Sequence, residues 1–145
     1  MSLPSLPMGK VAERLLHYET RENLTQATRR PAAWLVCEKL RPPLATLLGK
    51  AGFCALLGRA LALANAEIAW TGIVRVNVDG TMDGWAEMEE RMAARRFGEA
   101  SETLIARLLG LLVTFVGEEL TFRLLREIWP EISLHAGMTL PEDKP

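Results

Sequence analysis

Little in this chain is equipped for covalent chemistry. It has two cysteines, Cys37 and Cys54, and two histidines, His17 and His135. No G-x-S-x-G, H-E-x-x-H or G-x-x-x-x-G-K-[ST] segment accompanies them, so a nucleophile elbow, a zinc-protease helix and a phosphate-cradling loop are excluded. The cysteines stand apart inside apolar helical patterns rather than at C-x-x-C or zinc spacing, which predicts free buried thiols suited to a reducing cytoplasm. Spacing alone leaves a Cys37–Cys54 disulfide open. His17 shares its side of the helical wheel with Arg14 and Arg21, and with no second ligand beside it reads as a surface residue. A globin reading fails because neither histidine falls in the middle or later helices, where a proximal ligand belongs.

Charge of one sign is also lacking. Seventeen Lys and Arg balance eighteen Asp and Glu, so there is no electrostatic case for nucleic acid or an anionic membrane as partner. Nor is there a run of about 20 uninterrupted apolar residues, the length a membrane span needs; the richest stretch, Thr103 to Trp129, is broken by Arg107. Met1 to Gly9 has neither a charged start nor a continuous apolar region and is expected to be a tail rather than a signal peptide. No cofactor is expected and no metal site is assigned.

What is present is apolar side chain at helical spacing. With 145 residues and 49% hydrophobic content, the chain suits one domain burying about 70% of its unfolded surface. The expectation is an all-α fold, a compact bundle of five to seven helices over residues 10–130, with a short β-hairpin around 73–83 and an irregular tail over 131–145. Val11, Leu15, Leu16, Tyr18 and Leu24 give the stretch from Lys10 to about Thr28 one buried face. Pro31 opens a second helix at a position where its missing N–H costs nothing, and Pro42 and Pro43 predict an end or kink near Arg41. A third helix from about Ala51 to Glu67 carries Phe53, Leu56, Leu57 and Leu61, and a stripe of small residues, Ala51, Ala55, Gly58 and Ala62. That stripe is expected to face Ala106 and Gly110 in close helix packing.

Val74, Val76 and Val78 alternate with polar residues and run into Asp79-Gly80, a hairpin signal. Trp85, Met88 and Met92 then form a narrow stripe on a peripheral helix over about Gly84 to Phe97. A turn near Gly98 follows, with Ser101 as the expected cap of the core stretch. From Leu104 to Val116 the apolar residues cover one face. After Gly117 the phase changes: charged residues take that sector, and the apolar ones point the other way. Either the helix breaks at Gly117 or its second half packs on something else.

The most specific motif is Asp79-Gly80-Thr81-Met82-Asp83-Gly84 with Glu90. Asp79, Thr81, Asp83, Gly84 and Glu90 occupy the ligand and glycine positions of an EF-hand calcium loop. Threonine at the third position, an approaching strand and the lack of a paired loop favour a plain hairpin turn, with Asp83 capping the next helix. Arg59, alone among apolar neighbours, either snorkels to the surface or pairs with Glu118.

The leading functional expectation is a non-enzymatic interaction or regulatory module, self-associating through the second half of the core stretch. Leu120, Phe122, Arg123, Leu125 and Trp129 are its candidate interaction residues, because the phase change leaves an apolar face to bury and Glu119, Arg123 and Glu127 could rim it. The alternatives are a bundle holding a small apolar ligand between helices and a calcium-responsive module.

Overall fold

The helical spacing of leucine and alanine resolves into six helices and one two-stranded hairpin. A computed structural model describes residues 8–23, 30–68 and 73–132; Leu24, His135 and most of both expected tails lie outside this set. In order come α1 (Met8–Glu22), α2 (Ala32–Leu48), α3 (Lys50–Glu67), β1 (Arg75–Val76), β2 (Met82–Asp83), α4 (Trp85–Arg91), α5 (Ala94–Val116) and α6 (Glu118–Ile128). Met8 and Gly9 belong to α1 rather than to a tail. The protein is an all-α bundle with a small antiparallel hairpin, registered Arg75 against Asp83 and Val76 against Met82. None of its described helices is long and apolar enough to cross a membrane.

α5 lies at the centre, packed on α1, α2 and α3. Leu104, Ile105, Leu108, Leu109 and Leu112 are fully buried there, with Val11 and Leu15 of α1, Val36, Leu40 and Leu44 of α2, and Phe53 and Leu57 of α3. Removing that much apolar surface from water is the main stabilising term, about 1.5–3 kcal/mol for each large side chain.

The break at Gly117 is real. Its φ of 95° and ψ of 158° end α5 and begin α6 in a single residue, in a region of backbone space open almost only to glycine. Gly49 does the same between α2 and α3, with φ 84° and ψ 157°. The two corners sit in related sequence. Sliding the chain by 68 residues (117 minus 49) lays Ala32, Leu40, Leu44, Thr46, Leu56 and Leu57 on Ala100, Leu108, Leu112, Thr114, Leu124 and Leu125, all identical. The same shift carries each buried residue of α2 onto a buried residue of α5, with Ala33 matched to Ser101.

Several expectations change. α2 runs through Pro42 and Pro43 without a break. Leu40 and Leu44 stay buried on one face across them while Pro42 is exposed and Pro43 half-buried, so the two rings stand off the core face of the helix. The small stripe on α3 faces outward: Ala51, Ala55 and Ala62 are exposed and Gly58 has open space beside it. Phe53, Leu56 and Leu57 take the core side instead, because larger side chains gain more from burial, and Ala60 and Ala64 are buried with them on the same face. No turn forms at Gly98. α4 ends at Arg91, followed by Met92 in extended backbone, and α5 starts at Ala94. Phe97 meets the Trp85 ring edge-on at 6.0 Å, which holds the first turn of α5 against α4. Ser101 is therefore a buried mid-helix residue and caps nothing. Arg59 and Glu118 are both exposed, and no ion pair joins them.

Candidate interaction surface

The five residues singled out on the second half of the core stretch divide sharply. Phe122, Leu125 and Trp129 are buried within the chain itself, Leu120 is half-buried and Arg123 is exposed. The corner at Gly117 explains this. By turning the chain it re-aims the out-of-phase apolar face of α6 toward α5 and α2, so the phase change is absorbed inside one molecule. Glu119, Arg123 and Glu127 remain on the solvent side.

α6 is anchored by a carboxylate that its own sequence does not announce. Glu19 of α1 is 2% exposed. Its Oε2 accepts from Trp129 Nε1 at 2.7 Å and from Lys39 Nζ at 2.6 Å, linking α1, α2 and the end of α6. Beside it Tyr18 donates to Glu131 at 2.6 Å, and this bond, then burial, raises the Tyr18 hydroxyl to a pKa of about 12. The Lys39 ammonium lies 5.7 Å from the Tyr18 ring centroid, a cation–π distance. The cluster has few open valences and reads as a clasp between helices.

Uncovered apolar surface lies elsewhere. Leu47 is 43% exposed and Phe115 65%; each stands two residues before a corner glycine, and the 68-residue shift (117 minus 49) lays one on the other. The outer side of α3 carries Ala51, Ala55, Ala62 and Ala66, all exposed, interrupted only by Arg59 and Asn65, with Lys50 at its start and Glu67 at its end. Glu67 is paired with Arg107 of α5. The sequence signal for this surface was present, since α3 has apolar residues at every angle of its wheel; what spacing alone withholds is which side the rest of the bundle covers.

The hairpin does not gather a calcium cage. Asp79 Oδ1 accepts from Thr81 N at 3.0 Å and Thr81 Oγ1 at 2.6 Å, and these bonds hold the Asp79 carboxyl below its ordinary pKa. Asn77 Nδ2 reaches Thr81 Oγ1 and Asp83 Oδ2 at 3.0 and 3.2 Å, while Glu90 is exposed on α4. Among the described residues no group of three or more His, Cys, Asp or Glu is placed to hold a metal. Asp83 does not cap α4; Gly84 precedes that helix and no side chain caps it. The turn is a three-residue loop closed by Asn77 N to Thr81 O at 2.7 Å.

Both cysteines are free. Burial pushes the Cys37 thiol up to about 12, which removes it from nucleophilic chemistry at neutral pH. Cys54 is half-buried and its Sγ points at the carbonyls of Asn77 and Val78, at 3.4 and 3.3 Å, holding the hairpin to α3.

No protein-family model, curated protein or solved structure matches this chain.

Proposed function

We propose that this chain is a non-enzymatic helical interaction module that self-associates, and that two copies meet along the outer face of α3. The observation that carries this reading is an apolar helix with one long side uncovered; a helix that is apolar all round is ordinarily buried all round. The α6 residues Phe122, Leu125 and Trp129 serve the monomer's core, so a partner is better sought on α3.

A second copy laid antiparallel along this face is self-complementary. With the two-fold axis between Gly58 and Arg59, Ala51 of one copy stands opposite Ala66 of the other, and Ala55 opposite Ala62. Small residues let the backbones approach and gain dispersion contacts. The same register sets Lys50 opposite Glu67 at both ends, placing unlike charges together. A net charge of −1 leaves little general repulsion between copies. The two Arg59 side chains flank the axis as like charges and oppose the pairing, which the long stems relieve by reaching outward.

Native mass spectrometry of the full chain tests this directly. A dimer is expected, and Ala62→Glu should return it to a monomer that still unfolds cooperatively, with a Tm matching that of the wild type diluted to monomer, because Ala62 is exposed in a single copy. Arg59→Ala should tighten the dimer about tenfold, the equivalent of roughly 1.4 kcal/mol. A wild-type monomer at about 100 μM, the scale of a weak specific complex, would sink the reading.

A further inference from the structure

An open groove of about 580 Å³ lies against α5, between the start of α1 and the end of α3. α1 contributes Met8 and Gly9 to its lining, α3 contributes Leu63, and α5 contributes Ala106, Gly110 and Leu111. Its ion pair is internal, since Arg107 is held by Glu67, and the Thr114 hydroxyl donates to the Gly110 carbonyl at 3.0 Å. What the groove offers an incoming chain is chiefly apolar contact. Two glycines line it, Gly9 and Gly110, and each has open space where a Cβ would stand. Gly110 is in the middle of α5, where glycine costs about 1 kcal/mol against alanine. The small stripe of α3 faces outward, so it does not fill this notch.

The chain that enters α1 arrives at this groove. α1 runs antiparallel to α5: Thr20 and Asn23, near its end, share a cavity with Phe97 and Ser101 at the start of α5, whereas Met8 and Gly9 line the groove that reaches Thr114. Residues 1–7 therefore join α1 at the groove's edge. Their sequence contains two copies of one triplet, Ser2-Leu3-Pro4 and Ser5-Leu6-Pro7. Proline presets its own φ, and each leucine precedes a proline, which biases it to the same extended backbone. That polyproline backbone has three residues per turn, the period of the triplet, so both leucines fall on one edge about 9 Å apart. The serines share a second edge.

We infer that residues 1–7 are the occupant of this groove, a strap laid along α5 with Leu3 and Leu6 turned into it and Ser2 and Ser5 toward water. The reach is sufficient: seven residues of polyproline backbone extend about 22 Å, and α5 rises about 17 Å from Thr103 to Thr114. The chemistry also fits. No side chain of the segment is charged, and its two prolines bring no N–H to be desolvated. A preset backbone loses little entropy on docking, and attachment at Met8 supplies an effective concentration on the order of millimolar, so shallow contact suffices. Nothing in this inference depends on the α3 pairing.

Methyl NMR of the full chain tests the assignment, with Ala62→Glu present so that the outcome is separate from self-association. Nuclear Overhauser cross-peaks are expected from the Leu3 and Leu6 methyls to those of Ala106 and Leu111. None should appear in the isotope-filtered spectrum of labelled mixed with unlabelled chains. Leu3→Ser combined with Leu6→Ser should shift the Leu111 methyls and lower Tm by about 2–4 °C, whereas Ser2→Ala combined with Ser5→Ala should do neither. Gly110→Leu fills the notch from α5 itself, and in that background the leucine substitutions should lose most of their effect on Tm. Absence of the cross-peaks, their appearance only between copies, a Tm unmoved by the leucine substitutions, equal effects of the serine and leucine pairs, or an undiminished leucine effect in the Gly110→Leu background would each overturn it.

Discussion

Single side chains decide how this bundle is closed. The Glu19 carboxylate is the clearest case, because it is buried and serves two donors on different elements. Glu19→Leu keeps the bulk but leaves the Trp129 indole N–H unpaired, and should cost about 1–3 kcal/mol in urea denaturation. Glu19→Gln should recover most of that, since its amide oxygen can still accept from the indole. The Lys39 ion pair contributes less than about 1 kcal/mol, as its ammonium is 42% exposed and screened. Nothing in the sequence marked Glu19: a lone glutamate on a surface helix has no local signal, and its partner stands 110 residues away. Ser101 escaped for the opposite reason. Gly98 three residues earlier suggested a turn, and a serine beyond a turn reads as a cap. The Phe97–Trp85 contact outweighs the roughly 1 kcal/mol that Gly98 costs a helix.

Cys37 makes a pH prediction at the same scale. Its pKa rises from an ordinary 9.0 to about 12 in the folded chain. As pH climbs past 9 the unfolded thiol ionises first, so the unfolded state holds fewer protons than the native state and stability falls. Tyr18, raised from 10.0 to about 12, acts in the same direction. Tm is therefore expected to drop between about pH 9 and pH 12 by linkage, and Cys37→Ala should flatten the first part of that decline.

Among the elements, the two glycine corners organise the chain. Gly49 and Gly117 have open space where a Cβ would stand, so a substitution there meets only backbone strain. Gly49→Ala and Gly117→Ala should each destabilise by about 1–3 kcal/mol, and by similar amounts, as read by thermal or urea unfolding. Helix existence and the hairpin were legible from spacing of Leu, Ala and Val alone. Corners were legible only as glycines with an uncertain role: the phase change after Gly117 admitted two readings, and choosing between them requires knowing where α2 and α5 lie. Pro42 and Pro43 misled because a proline pair off the core face leaves the packing of Leu40 and Leu44 intact, and a linear pattern does not encode how much that packing offsets the lost N–H bonds.

At the scale of the molecule, the all-α architecture followed from composition and period, but the working surfaces did not. The α3 stripe was readable as small and apolar; its outward orientation was decided by the larger competing face of Phe53, Leu56 and Leu57. The clasp likewise joins Glu19 and Tyr18 of α1, Lys39 of α2 and Trp129 and Glu131 at the end of α6, and none of these residues is distinctive in its own segment. Sites assembled from single contributions of distant elements leave no motif.

The clasp between Glu19 and Trp129 also has a consequence in time. Ordering the chain between its two ends must come before that contact is rewarded, since closing a loop of this span costs entropy that shorter pairings do not. The α2–α3 and α5–α6 corners, each one residue long, can assemble early from neighbours. The clasp is thus expected to form late, and strengthening it should lengthen the lifetime of the native state far more than it hastens its formation, as unfolding and refolding rates would show.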